Sequence, residues 1–102
     1  MELLYLSRRA VEDVGITMTE VLEALDEGFR LNGLGQTEMP PKPGIHPRSD
    51  CFIHAMPAFV AGIEVAGLKW VSGYPSNPAI NLPYIAGLVV LNDAENGLPI
   101  AV

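Results

Sequence analysis

Residues 65–74, VAGLKWVSGY, and residues 84–93, YIAGLVVLND, decide the fold. Both runs are rich in Val, Leu, Ile and aromatic residues and are bounded by turn formers, which is the pattern of β-strands. The second leads through NDAENG, residues 92–97, into LPIAV, residues 98–102. Asn96-Gly97 suits the positive φ of a tight hairpin. Upstream, CFIHAMPAF, residues 51–59, alternates imperfectly and predicts a further strand. The part of the chain after Gln36 therefore reads as an antiparallel β-meander.

The part before Gln36 reads differently. LLYLS, residues 3–7, is a short apolar run that predicts a first strand. Ser7 then caps a short helix, RRAVEDVG, which Gly15 stops. Thr17 with Glu20 fits a capping box. Met18, Val21, Leu22, Leu25, Phe29 and Leu31 recur at helical spacing, with acidic residues mostly on the other face. Gly33 and Gly35 end that amphipathic helix. A strand and two helices followed by a meander make an α+β domain spanning residues 1–102, with no repeat and no low-complexity tract.

The chain has 102 residues and is 49% hydrophobic, so one domain with a core is expected. Its net charge of −6, with six Lys and Arg in all, argues against nucleic-acid binding, which relies on clustered cations. An anionic small molecule is not excluded, because a few placed cations suffice to hold one. A single cysteine, Cys51, rules out an intrachain disulfide; in an apolar run it reads as a small core residue. No signal peptide and no window of membrane-spanning length is present. The expectation is a cytoplasmic protein with no membrane partner. GLPIAV opens a strand that stops at Val102, which predicts that these residues belong to something longer.

Three residues stand out for chemistry. Lys42 lies within MPPKPGIHP, residues 39–47. Proline fixes φ and forces its predecessor toward extended geometry, so Lys42 sits on a stiff backbone. It is either a solvated loop lysine or an anion clamp held in a set direction. His54 shares a strand face with Phe52 and Met56. It is either a packed histidine or a group that binds a carboxylate or moves a proton near neutral pH. Lys69 is the sharpest. It shares a face with Gly67 and Val71, where a plain solvent face would carry more polar neighbours. A lysine lining a pocket there suits proton transfer or carboxylate binding. SGYPSNP, residues 72–78, is a surface turn or one wall of such a site. His46, Arg48 and Asp50 read as surface residues. No metal-ligand cluster and no phosphate-binding glycine fingerprint occurs.

Taken in order, MPPKPGIHP, HAMPAF, AGLKWVSGYPSNP and LPYIAGLVVLNDAENGLPIAV resemble the N-terminal part of the ornithine cyclodeaminase/mu-crystallin family. That family includes archaeal-type alanine dehydrogenases and ketimine reductases. The resemblance begins at LYLSRRAVE and covers essentially the whole chain. It implies a substrate-binding and dimerisation domain whose sheet pairs with a second subunit. It also implies a separate Rossmann domain for NAD or NADP that these residues do not contain. By the same resemblance Lys42 matches a basic residue that binds the substrate carboxylate. His54 falls where some relatives carry Arg, and Met56 matches a methionine lining the substrate site. Lys69 matches a strand lysine near the reacting carbon, the implied catalytic residue. Tyr84 stands where many relatives carry a cofactor-touching Thr. The implied activity is hydride transfer between NAD(P) and the α-carbon of an amino or imino acid, in a homodimer. The competing reading is a non-catalytic module that dimerises or binds a small carboxylate; mu-crystallin shows that the family fold can serve as a binding protein.

Overall fold

The computed structural model describes residues 2–102. Two helices come first, α1 (Arg8–Asp13) and α2 (Met18–Gly33). Six strands follow: β1 (Thr37–Glu38), β2 (Gly44–Ile45), β3 (Phe52–Val60), β4 (Val65–Gly73), β5 (Ile85–Asp93) and β6 (Pro99–Ala101). A 3₁₀ turn, Asn77–Ile80, lies between β4 and β5. The α+β architecture expected from the sequence is the one observed.

Local chemistry sets the helix ends. The Ser7 hydroxyl accepts from Ala10 N at 3.1 Å and starts α1. Thr17 and Glu20 form the reciprocal capping box at the start of α2, with both hydrogen bonds made. At its far end Gly35 takes φ +73°. Gly35 N donates to Asn32 O and Gln36 N donates to Leu31 O, which closes the helix in a Schellman motif. Gly33 is the last helical residue, and Gly35 is the one that needs the left-handed conformation.

The sheet runs in the order β1-β3-β4-β5-β6, with β2 pairing β3 beside β1. All these pairings are antiparallel. The β3–β4 and β4–β5 pairs are in full register along their whole length. Gly97, at φ +79°, makes the turn into β6, and the Asp93 carboxylate accepts from Glu95 N and Asn96 N. Asn96 keeps an ordinary negative φ, so only the glycine of that pair is used for the left-handed step. The first apolar run also joins the sheet. It does so as a single parallel bridge, Leu4 to Ala101, supported by Leu4 N to Ile100 O at 3.0 Å and Leu6 N to Val102 O at 2.8 Å. Its partner β6 is three residues long, which keeps the pairing short.

Directly opposed residues of an antiparallel pair project to the same side. One face of the sheet therefore carries Phe52, His54, Met56, Lys69, Val71 and Val89. The other carries Ile53, Pro57, Leu68, Trp70, Leu88 and Val90. Helix α2 packs near the Val60 end of β3, where Leu31 is 2% exposed and seated over Gly62. Cys51 and Val71 are buried as well, so the core reading of Cys51 holds. Much of the remaining apolar surface is open: Met18, Leu22, Leu25 and Phe29 on α2, and Trp70 and Leu88 on the sheet. The accessible surface is 7826 Å², against about 5,600 Å² for a compact protein of this mass.

Candidate functional site

Three of the sequence-derived site residues share one sheet face. Met56 on β3 stands opposite Lys69 on β4. Such opposed β-carbons lie about 5 Å apart. One step along the same face, His54 stands opposite Val71 on β4 and opposite Gly44 on β2.

Lys42 reaches the same place from the other flank. The β2–β3 register runs Ile45 to Ile53 and Gly44 to His54. It continues for one more residue, because Ala55 N donates to Pro43 O at 3.0 Å. The next position along is Lys42, level with Met56. Prolines at 40, 41 and 43 keep this segment extended without demanding backbone partners. By register, Lys42, just before β2, and Lys69 on β4 thus lie on either side of Met56.

The charge arrangement separates these lysines from the helix cations. Arg8 pairs with Glu12, Arg9 with Asp13 and Arg30 with Glu27. The Arg30 pair holds the Glu27 carboxyl below its ordinary range, mainly through their hydrogen bond. Among the described residues, Lys42, Arg48 and Lys69 have no carboxylate within ion-pair distance. In a chain of net charge −6, the cations without a partner all lie between residues 42 and 69. Lys69 is exposed, on an open face rather than in the closed pocket its neighbours suggested. An apolar groove of about 300 Å³ between α2 and β3, lined by Leu25, Phe29, Met39, Val60 and Ile63, includes neither lysine.

His54 is half-buried and held by packing. Its ring stacks on Phe52, with centroids 4.3 Å apart and planes at 22°. His46 meets it edge-on at 6.5 Å. Phe52, His46 and Gly44 carried no expected role beyond structure, although the alternation of Phe52, His54 and Met56 already put the phenyl ring beside the imidazole.

Tyr84 is not brought to this group. Its carbonyl accepts from Tyr74 N at 2.9 Å, at the loop end of the β4–β5 hairpin. It precedes Val89, the partner of Lys69, by five residues, about 17 Å of strand. Asn77, whose side-chain amide donates to Pro83 O at 3.0 Å, braces the intervening loop.

The described residues do not form a cradle for a dinucleotide pyrophosphate. The spaces over Gly44, Gly62 and Gly73 are taken by His54, Leu31 and Phe52, and those over Gly67 and Gly87 by neighbouring strands. The start of α2 is occupied by the Glu20 carboxylate, which repels an anion. No group of three or more potential metal-ligating side chains occurs among the described residues. No helix among them is long and apolar enough to cross a membrane.

Comparison with known proteins places this geometry. The nodulation efficiency protein NfeD of Rhizobium meliloti is 46% identical over 98 residues, covering 96% of this chain and 31% of that protein. The solved structure of an archaeal alanine dehydrogenase dimer with bound NAD superposes with a TM-score of 0.90 at 42% identity, covering 99% of this chain and 30% of that one. The Thermococcus litoralis Δ1-pyrroline-2-carboxylate reductase, solved with NADH and L-proline, gives a TM-score of 0.91 at 33% identity over 97% of this chain and 31% of its own. The chain spans about a third of the length of each of these relatives. The model of the ornithine cyclodeaminase/mu-crystallin family matches residues 2–102, and the chain belongs to that family.

Proposed function

We propose that these residues are the substrate-binding and dimerising part of an NAD(P)-dependent oxidoreductase or cyclodeaminase acting on an amino or imino acid. The observation that carries the reading is the pair of lysines without acidic partners, Lys42 and Lys69, on either side of Met56. Two lysines at register positions beside one apolar side chain suit a small carboxylate whose carbon skeleton rests on that side chain. Lys42 and His54 would bind the carboxylate. Lys69 would bind it too and act as the proton-transfer group near the α-carbon.

NAD or NADP would supply hydride chemistry. The described residues offer no pyrophosphate seat, so the reading assigns that seat to the part of such a protein that this chain does not match. Tyr84 is the one residue here proposed to reach the cofactor. The open sheet face with Trp70 and Leu88 supports a homodimer. The surface excess over a compact protein, about 2,200 Å², is of the order that obligate dimers bury.

The test is a panel of L-amino acids and 2-oxo acids with ammonia, assayed on the full-length protein with NAD(H) and NADP(H). Dinucleotide-dependent turnover of one of them supports the reading. A dimer that binds 2-oxo acids but turns over nothing would favour the non-catalytic carboxylate-binding module.

A further inference from the structure

His54 has no fixed partner for its ring nitrogens, yet its ring is tightly placed. No hydrogen bond joins either nitrogen to another described residue. Placement instead comes from shape. Phe52, two residues earlier on β3, stacks on the imidazole at 4.3 Å. Gly44, its partner on β2, lies against the Cδ2–Nε2 edge, and a β-carbon there would collide with both atoms. Phe52 is itself seated over Gly73, its partner on β4, where a β-carbon would strike the phenyl ring. His46 borders the remaining side, 6.5 Å away and at 78°.

We infer that Phe52, with Gly44 and Gly73 as the clearances for the two rings, is the positioning residue that sets the His54 imidazole on the substrate face. The inference rests on the reading that His54 contacts the substrate carboxylate. Stacking orients an imidazole without taking a hydrogen bond from either nitrogen, and a glycine at 44 leaves no side chain over the Nε2 edge. A hydrogen-bonded orienter would occupy one nitrogen. The glycines serve this arrangement rather than a turn: neither Gly44 nor Gly73 has a positive φ.

The experiment measures pyruvate binding to the full-length protein by calorimetry for wild type, His54→Ala, Phe52→Leu, Phe52→Tyr, Gly44→Ala and the double variant Phe52→Leu/His54→Ala, with melting curves for each. Expected is that His54→Ala, Phe52→Leu and Gly44→Ala each weaken pyruvate about tenfold. Phe52→Tyr, which keeps the stack, should bind like wild type. Adding Phe52→Leu to His54→Ala should weaken binding no further, whereas a general packing role would cost affinity in both backgrounds. Should Gly44→Ala fail to fold, Phe52→Leu and the double variant still decide. If His54→Ala weakens binding but Phe52→Leu does not, the positioning role is overturned while the substrate reading of His54 stands. If His54→Ala binds pyruvate like wild type, the substrate reading of His54 falls and the positioning role falls with it.

Discussion

Met56 and Lys69 stand directly opposite each other across the β3–β4 pair, with Lys42 level with them beyond β3. Register makes this relationship robust. A slip of one residue between β3 and β4 would send Lys69 to the face that carries Trp70 and Leu88. The full nine-residue pairing of β3 with β4, and of β4 with β5, opposes that slip.

On the proposed function, Lys69→Ala is expected to lower turnover by the full-length protein about 10²- to 10⁴-fold, the range for loss of a proton-transfer group. Lys69 is exposed and sits mid-strand, so its removal leaves no buried cavity. The dimer should persist by light scattering. Unchanged kcat would remove Lys69 from the chemistry.

Lys42→Ala is expected to raise KM for the carboxylate substrate about 10- to 100-fold, with a smaller effect on kcat, because a charge-assisted contact made before and during the reaction is lost. Steady-state kinetics at fixed salt would decide. A KM equal to that of wild type would return Lys42 to the solvent.

The two lysines are legible in the amino-acid sequence, and so is most of the fold, for a common reason. Strand identity and face follow from a period of two residues, so Phe52, His54 and Met56, or Gly67, Lys69 and Val71, group along one strand. Caps work the same way: Thr17 and Glu20 carry their hydrogen bonds three residues apart. Periodicity does not carry the pairing between strands. The opposition of Met56 to Lys69, and of Gly44 to His54, depends on turn lengths at residues 61–64 and 46–51 that a repeat of two residues does not encode. The openness around Lys69 is equally hidden, because it depends on what covers the face.

Trp70→Asp is expected to convert the proposed homodimer to monomer. Trp70 is 41% exposed in the single chain, on the same face as Leu68 and Leu88. A carboxylate at the centre of an apolar interface would be buried without a partner. Multi-angle light scattering on the full-length protein reads the outcome directly. A variant that stays dimeric would move the interface to another surface.

Cys51 should resist alkylation in the native state. Burial pushes its thiol above the ordinary range, and the neighbouring Asp50 carboxylate adds to the shift. The reactive species is the thiolate, so the folded protein holds less of it at any given pH. The sign for stability follows. A thiol whose pKa is raised by folding stabilises the native state below the unfolded pKa, and that contribution is lost as pH rises through the folded one. Iodoacetamide at pH 8 should label Cys51 rapidly in urea and slowly without it. Equal rates would show that the site opens freely.

Leu31→Ala tests how α2 is fastened to the sheet. Leu31 is the one buried residue of the helix, at 2% exposure, and it fills the space over Gly62. Gly62 lies in the turn between β3 and β4, so the contact couples the helix to the strands that carry His54, Met56 and Lys69. Truncating a buried leucine costs about 2–5 kcal/mol, part of it from the cavity left behind. Because the glycine opposite has no side chain to relax into that cavity, a cost toward the upper half of the range is expected. Urea denaturation of the full-length protein followed by far-UV circular dichroism would measure it. A loss below about 1 kcal/mol would mean that the helix is held by its other apolar residues, Leu25 and Phe29, rather than by this one contact.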